Sequence, residues 1–475
     1  MNHRSIVMLV MLLLFGILQA VPTSAQQVPP GWADPQTVNA DCCAALDVPV
    51  VDPWGNLHVF WADSATGAIM YSRLDGEGWL PAIDIIAGTG NRGTYAVDAT
   101  FTRDGYLHVV WIAGAGGQLL YSRAWVADAG AAPAWQSAVV IAERAMGTSI
   151  KADSSGLLHV VYSPFEAGLG VVHATSPDGA FWSKPDVAES GLTSNWTGEK
   201  VRLSIDADDT LHVAWNSLTF PGGYPEHAVY YQRSTDGGQT WSAPFDPDPL
   251  PPDIDANIES GFKNKMINVA AAPDGAIHLT WHQHTGYRWH RMSTDGGLTW
   301  GPSETIFPDM GPAYNGIVDM AFDSAGDLHV VATRNSVWTR TWVSERGWLP
   351  PELIDSRTPD WHHQRAAVLD GNRLFLFYPD INGTGLLWVT SRSLDAPAIA
   401  PTLLPERPTL PSLESQVRAT ALPTTAATPT SAAFPAQEST SSTAIPQSTA
   451  ILVGLVPAVT LVAVVVIIRM ARRRH

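Results

Sequence analysis

The feature that most constrains this chain is a short pattern that returns seven times, each time as a tight turn followed by an apolar run. The copies read WGNLHVFW, DGYLHVVW, SGLLHVVY, DDTLHVAW, DGAIHLTW, AGDLHVVA and, more divergently, GNRLFLFY. One position of the pattern is held in turn by His58, His108, His159, His212, His278, His329 and Phe375. Successive copies lie 50, 51, 53, 66, 51 and 46 residues apart, and a repeat of about fifty residues is typical of β-propeller blades.

Each unit contains four short segments with strand character. One precedes the turn, the apolar run follows it, a third resembles Ala68–Arg73, and a fourth opens with Trp. The apolar runs lack a polar face, as expected when each sheet packs between two neighbours. We therefore predict an all-β fold, a seven-bladed β-propeller of four-stranded antiparallel blades.

The tryptophans that open the fourth strands indicate how the ring closes. They are Trp32, Trp79, Trp135, Trp182, Trp241, Trp300 and Trp348. The first precedes any complete unit, and the last unit has no such strand of its own. We expect the segment at Trp32 to supply the outer strand of the last blade, which removes the open sheet edges. An open linear array is the alternative, but it gives no reason for the offset.

The two ends of the chain are predicted to be targeting segments. Residues 1–25 have the positive start, apolar run and small residues of a secretory signal. Residues 400–449 are rich in Pro, Thr, Ser and Ala and should form an extended stalk. Residues 450–468 carry an uncharged apolar run, a predicted transmembrane helix, and 469–475 form a basic cytoplasmic tail. The propeller, 26–399, is then extracellular and held at the cell membrane by one span.

The net charge limits the kinds of binding partner, and the cysteine content limits the disulfides. The formal net charge of −17 leaves no electrostatic footprint for nucleic acid. The chain has two cysteines, Cys42 and Cys43, which are adjacent. After export they form either a strained vicinal disulfide or a pair of free thiols.

Two turns share an eight-residue pattern, STDGGQTW and STDGGLTW, and SPDGAFW is a shortened version. Asp caps the turn backbone, Gly permits a positive φ, and Trp packs over the hairpin. The turns resemble the Asp-box (BNR) repeats of sialidases and related β-propellers, and the resemblance covers about residues 30–400. It implies a structural role, on the face away from the active site, for Ser234, Asp236, Gly238, Trp241, Ser293, Asp295, Gly297 and Trp300.

The resemblance does not supply catalytic residues. Family sialidases usually have six blades, an Arg triad, a Tyr–Glu nucleophile pair, an Asp acid/base and a Phe/Tyr-Arg-Ile-Pro motif. This sequence has seven units and no such motif. No family catalytic residue is transferred, so the catalytic residues are unknown.

Propeller topology still predicts where a ligand would bind. Loops between second and third strands and between blades share the rim opposite the Asp boxes, and propellers bind ligands at such a rim. Ligand-binding candidates there are Arg92, Arg202, Arg334, Arg365, Trp281, His282, His284, Trp361, His362, Tyr378 and Asp380. Paired arginines grip a carboxylate; the alternative for them is surface or inter-blade ion pairs.

The histidines have two interpretations. Those inside the apolar runs recur once per blade, which favours packing and hydrogen bonding. The pairs in WHQH and WHH lie at the predicted rim, where they either bind a metal or join a sugar-stacking patch with Trp281 and Trp361. No Cys or carboxylate spacing completes a metal site, so neither metal nor cofactor is expected.

The leading hypothesis is a membrane-anchored, sialidase-like propeller that binds a glycan or a cell-surface protein through this rim. One alternative is an exo-sialidase-type glycoside hydrolase, which needs two carboxyl groups across the scissile bond. The other is a structural surface module without catalysis.

Overall fold

The computed structural model describes most of the predicted propeller. The described ranges are 29–39, 44–88, 96–113, 117–164, 170–183, 197–218, 226–249, 265–283, 285–310, 317–333, 336–356, 363–380 and 385–407. Within them the chain forms seven antiparallel sheets, so the all-β seven-bladed propeller is confirmed. The predicted signal, span and basic tail, and the stalk beyond residue 407, lie outside these ranges. Within these ranges, no helix is long and apolar enough to cross a membrane.

Three strands recur in every blade. Strands and blades are both numbered in chain order, and blade 1 begins with β2. The inner strands are β2 (Ala44–Val51), β7 (Ala96–Thr102), β11 (Ala145–Ala152), β14 (Thr197–Ile205), β17 (Lys265–Ala271), β21 (Asp319–Phe322) and β26 (Arg365–Leu369). The second strands are β3 (Leu57–Asp63), β8 (Tyr106–Ala113), β12 (Leu158–Pro164), β15 (Leu211–Leu218), β18 (Ile277–His282), β22 (Leu328–Thr333) and β27 (Arg373–Pro379). The third strands are β4 (Ile69–Asp75), β9 (Gln118–Trp125), β13 (Val172–Ser176), β16 (Glu226–Ser234), β19 (Arg288–Ser293), β23 (Val337–Val343) and β28 (Leu387–Ser393).

The number of strands differs from the predicted four in several blades, because the number of outer strands varies. The outer strands are β1 (Gln36–Thr37) in blade 7, β5 (Gly78–Trp79) and β6 (Ile83–Ile86) in blade 1, β10 (Val139–Ala142) in blade 2, β20 (Glu304–Thr305) in blade 5, and β24 (Gly347–Trp348) and β25 (Glu352–Asp355) in blade 6. Blades 1 and 6 have two short outer strands because Pro81 and Pro350 interrupt the ladder. Blades 3 and 4 have three strands within the described residues. Short 3-10 helices cover Val126–Asp128, Ala132–Ala134 and Pro308–Met310.

The ring closes as the tryptophan offset predicts. In blade 7, β1 pairs antiparallel with β28, with Gln36 opposite Val389. Trp32 extends the pairing through a bridge to Arg392. The Arg392 guanidinium lies 4.6 Å from the centre of the Trp32 ring and forms a 2.8 Å ion pair with Glu352 of blade 6. The first and last blades are therefore joined by backbone pairing, and the linear array is excluded.

The repeated histidines tie each second strand to the turn before it. His58 is fully buried, and its Nε2 donates to Asp52 Oδ2 at 2.9 Å, while Tyr71 donates its hydroxyl to Nδ1 at 2.8 Å. The other carboxylate oxygen of Asp52 accepts the Trp54 and Asn56 amides at 3.0 and 2.9 Å. The same carboxylate contact recurs at His159, His212 and His329. In these four blades the repeated histidine is thus structural.

A residue of the third strand links the repeated histidine to the next blade. Tyr231 donates to His212 Nδ1 at 2.7 Å and packs edge-on against Trp300 of blade 5, with ring centres 4.9 Å apart. A Cβ on Gly297 would lie 2.0 Å from the Tyr231 hydroxyl. Blade 3 repeats the arrangement with His173 in place of tyrosine, packed against Trp241. Glycine in the turn therefore makes room for the preceding blade.

Replacing Trp32 with Ala should weaken ring closure. Trp32 is 8% exposed, and removing a buried Trp side chain costs about 3 kcal/mol of unfolding free energy. Denaturant unfolding of Trp32→Ala measures this loss. The matched control, Phe181→Ala, removes an aromatic side chain that is 82% exposed and should change stability by less than about 0.5 kcal/mol. Equal stabilities for the two variants would contradict the closure.

The buried histidine pair of blade 3 should make the protein acid-sensitive. His173 donates to His159 at 3.0 Å, and burial, assisted by the neighbouring His159, lowers the pKa of His173 to about 4 from 6.5. The unfolded chain therefore binds the proton first, so stability is full above pH 6.5 and falls as the pH drops towards 4.

His173→Tyr copies the tyrosine that blade 4 uses at this position. It should reduce the loss of stability between pH 7 and pH 5 by about 1 kcal/mol, measured by denaturant titration at both values. An unchanged pH dependence would show that His173 is not the titrating group.

Candidate functional site

All seven inner strands line a central cavity of ≈ 250 Å³. One lining residue of each strand belongs to what we call the axial ring: Val48, Asp98, Ser149, Arg202, Asn268, Asp319 and Arg365. They occupy equivalent positions, each paired across the blade with the residue two places after the repeated histidine position, as Asp98 pairs with Val110 and Arg202 with Ala214. Lys151, two residues after Ser149, also lines the cavity. The repeat thus presents seven different side chains to one space.

Hydrogen bonds between adjacent inner strands hold one half of the axial ring. Ser149 Oγ donates to Asp98 Oδ2 at 2.6 Å, and the Ile150 amide donates to the same oxygen at 3.0 Å. Lys151 Nζ lies 3.3 Å from that carboxylate. Ser149 Oγ in turn accepts the Leu203 amide of blade 4 at 3.2 Å. Burial opposes ionisation of Asp98, but Lys151 and these hydrogen bonds keep its pKa below the usual value.

Asp319 has the same role across the ring. Its Oδ2 accepts the Ala366 amide of blade 7 at 2.9 Å, and its Oδ1 accepts Asn268 Nδ2 at 3.1 Å. Both carboxylates of the axial ring therefore accept hydrogen bonds from neighbouring strands. Their structural task is to fix the spacing of the blades around the cavity.

Each of the two arginines of the axial ring bonds to the carbonyl of the residue before it. Arg202 Nη1 donates to the Val201 carbonyl at 3.1 Å, and Arg365 Nη1 donates to the Gln364 carbonyl at 2.8 Å. Among the described residues, neither guanidinium forms an ion pair with a carboxylate. Burial and the positive charge of Arg365 lower the pKa of Arg202 to about 10, against the opposing effect of Asp98 and Asp319. Arg202 is therefore charged at neutral pH, beside a second cation.

Register shifts lie just before the axial ring in four inner strands, β2, β11, β14 and β17. The register of β14 shifts between Glu199 and Arg202, and that of β17 shifts between Lys265 and Asn268. Lys200 and Met266, within these bulges, have left-handed φ values of 49° and 54°. Such bulges re-aim side chains, and this strain is concentrated at functional sites. Here they precede Arg202 and Asn268.

The structure brings together two of the four predicted arginines, Arg202 and Arg365. The remaining predicted candidates Arg92, Arg334, His284, Trp361 and His362 lie outside the described residues, as do Cys42 and Cys43. A metal cluster of three His, Cys, Asp or Glu side chains does not occur in the described ranges.

Three aromatic or imidazole candidates are in the core. Trp281 is 1% exposed and donates Nε1 to Asp248 Oδ2 at 3.1 Å. Tyr378 is equally buried and donates to Asp355 Oδ2 at 2.8 Å, and His282 is also buried. All three rings are buried in this structure, and Trp361, the other ring of the predicted stacking patch, lies outside the described residues. Asp380 is half-buried at the end of blade 7, where its amide donates to Leu386 at 2.9 Å.

Sequence reasoning missed most of the axial ring. Asp98, Ser149, Asn268 and Asp319 were not proposed, although each sits at a fixed register from the repeated histidine position. All seven members lie ten residues before that position, so aligning the inner strands on it finds the whole ring. The bulges of β14 and β17 come before the ring and affect only the alignment of earlier residues.

The STDGG turns follow the third strands of blades 4 and 5. Ser234 donates to Asp236 Oδ1 at 2.7 Å, and the Thr240 amide donates to the same oxygen at 2.9 Å. Hydrogen bonds from Thr240 lower the pKa of Asp236 to about 2. Gly238 and Gly297 have φ values of 89° and 83°. Asp295 is bonded in the same way by Ser293 and Thr299. These contacts stabilise the turn and occupy the oxygens of the carboxylate.

No protein-family model matches the sequence, and no curated protein matches it. Solved structures resemble the fold. Polysaccharide lyase Uly1 has a TM-score of 0.51 at 12% identity, over 80% of this chain and 94% of that one. The NanB sialidase from Streptococcus pneumoniae has a TM-score of 0.44 at 12% identity, over 75% and 69%. Aleuria aurantia lectin in complex with α-methyl-L-fucoside has 0.43 at 11%, over 68% and 98%. At such identities the likeness shows the fold alone.

Asp98→Asn should destabilise the axial ring. The amide keeps one acceptor, leaving Lys151 without its counter-ion and a buried donor unpaired, at a cost of about 2 kcal/mol. Denaturant unfolding checks this value. The control Asp84→Asn removes an exposed carboxylate on β6 and should be close to neutral. A loss no larger than that of the control would show that Asp98 does not hold the blades.

Proposed function

We propose that this chain binds an acidic glycan, with the carboxylate of one sugar held in the central cavity by Arg202 and Arg365. The observation that carries the proposal is the convergence of two guanidinium groups without carboxylate partners among the described residues. A planar guanidinium binds a carboxylate through parallel hydrogen bonds, and two of them provide both charge and orientation.

Local charge supports an anionic ligand. The whole chain carries a formal charge of −17. Of the residues lining the cavity, Lys151, Arg202 and Arg365 are cationic and Asp98 and Asp319 are anionic, a net +1. A positive cavity in an acidic protein concentrates field lines on that cavity and repels anions elsewhere. The charge pattern therefore favours one small anionic group over an extended polyanion.

Fold and position fit the same function. Strand topology places the STDGG turns at the end of the blades where the inner strands finish, and the axial ring lies three or four residues before that end. We propose that these turns are Asp boxes of a sialidase-like propeller. We further propose that the chain is exported and membrane-anchored through its C-terminal region. The fold is also that of a polysaccharide lyase, which is consistent with a carbohydrate ligand.

The carboxylates of the cavity favour binding over hydrolysis. Glycoside cleavage needs one carboxyl group that is protonated near neutral pH. Asp98 has a lowered pKa, and Asp319 accepts hydrogen bonds on both oxygens. Neither is suited to donate a proton. We therefore propose a binding protein, with exo-sialidase activity as the alternative that the test below also measures.

The test is calorimetric titration of the full chain with N-acetylneuraminic acid and with glucuronic acid, using glucose as the neutral comparison. Arg202→Gln and Arg365→Gln should each weaken binding of an acidic sugar at least about tenfold, because each removes one charged fork from the carboxylate. Arg202→Lys keeps the charge and should lose less. The matched control, Arg103→Gln, removes an exposed arginine on the turn between β7 and β8 and should bind normally.

The outcomes separate the hypotheses. Binding of glucose as tightly as the acids, or equal losses in Arg103→Gln and Arg202→Gln, would refute the carboxylate site. Release of free sugar from a fluorogenic sialoside, lost in Arg202→Gln, would establish the hydrolase instead.

A further inference from the structure

The chain does not leave the propeller at the end of its last strand. After β28, residues 394–407 continue across the turns that join first and second strands. We call this segment the clasp. The predicted boundary between propeller and stalk was residue 399, but residues 400–407 also contact the blades.

The clasp is first held by blades 7 and 6. The Leu394 amide donates to Asn372 O at 2.7 Å, and the Ile399 amide donates to Asp370 O at 2.8 Å, both in the turn between β26 and β27. Ser324, in the corresponding turn of blade 6, donates its hydroxyl to the Pro397 carbonyl. The start of the clasp is thus attached to the end of the ring.

The middle of the clasp crosses to blade 1. The Thr402 amide and hydroxyl both donate to Pro53 O, at 2.7 and 3.0 Å. Pro401 lies over Gly55, where an added Cβ would be 2.7 Å from Pro401 Cγ. The clasp therefore bridges the seam at which the last blade meets the first.

The end of the clasp reaches blade 2. Leu404 packs against the apolar cluster between blades 1 and 2, while its neighbour Leu403 is 95% exposed. Arg407 Nη1 donates to Asp128 Oδ2 at 2.7 Å. Four blades, 6, 7, 1 and 2, are therefore attached to one segment of chain.

We propose that the clasp is a second closure of the ring, acting on the face where the first and second strands are joined. The first closure runs from the Trp32–Arg392 bridge through β1 to Val38, whose amide donates to Leu387 O at 2.9 Å. The clasp adds backbone bonds to both sides of the same seam, so opening the seam requires both to be released.

The glycines under the clasp provide a matched test. Gly55 and Gly156 occupy the same turn position in blades 1 and 3, with φ values of 87° and 88°. Alanine is strained equally at both, but only at position 55 does its Cβ meet the clasp, since nothing lies within 4 Å of position 156. In the full chain, Gly55→Ala should melt at least about 4 °C below Gly156→Ala.

A second pair changes the clasp itself. Leu404→Asp should lower the melting temperature by about 3–6 °C, whereas Leu403→Asp on the exposed neighbour should not. Hydrogen exchange should rise about tenfold in β1, β2 and β28 of Leu404→Asp and stay unchanged in β14 and β15. Equal melting within both pairs, or exchange that rises equally in all blades, would overturn the second closure.

Discussion

A propeller blade has two apolar faces, and only a closed ring covers both faces of every blade. The pairing of β1 with β28 is therefore the contact on which the rest of this structure depends. Trp32 strengthens it by packing under Arg392, which in turn bonds Glu352 of the neighbouring blade. With the ring shut, every second strand is buried on both sides, and the seven inner strands are forced to face a common axis.

The axial ring follows from that closure. Each inner strand adds one side chain at the same height. Backbone amides of the next strand donate hydrogen bonds to Asp98, Ser149 and Asp319, and these bonds hold that height constant. Because these side chains are occupied, the cations Arg202 and Arg365 remain available to an incoming anion. In the proposed site, the structural and binding tasks are thus divided among residues at equivalent positions of the repeat.

The number of blades and the closing strand could be predicted from sequence, because both are expressed as a period and an offset of tryptophans. The buried fate of Trp281 could not, since its Nε1 partner Asp248 comes from an irregular loop of the preceding blade. The axial ring was hidden for a different reason. Its members all lie ten residues before the repeated position, but they differ in chemistry, so no residue type marks them. The contacts of residues 400–407 were also missed, because a segment rich in proline has no periodic pattern.

The proposed site requires that Arg202 and Arg365 together bind one carboxylate. The most direct measurement is a crystal structure of the chain soaked with the acidic sugar that binds most tightly in solution. We expect the sugar carboxylate to lie in the central cavity, within hydrogen-bond distance of both guanidinium groups. A sugar bound elsewhere on the rim, with water alone between the two arginines, would contradict it.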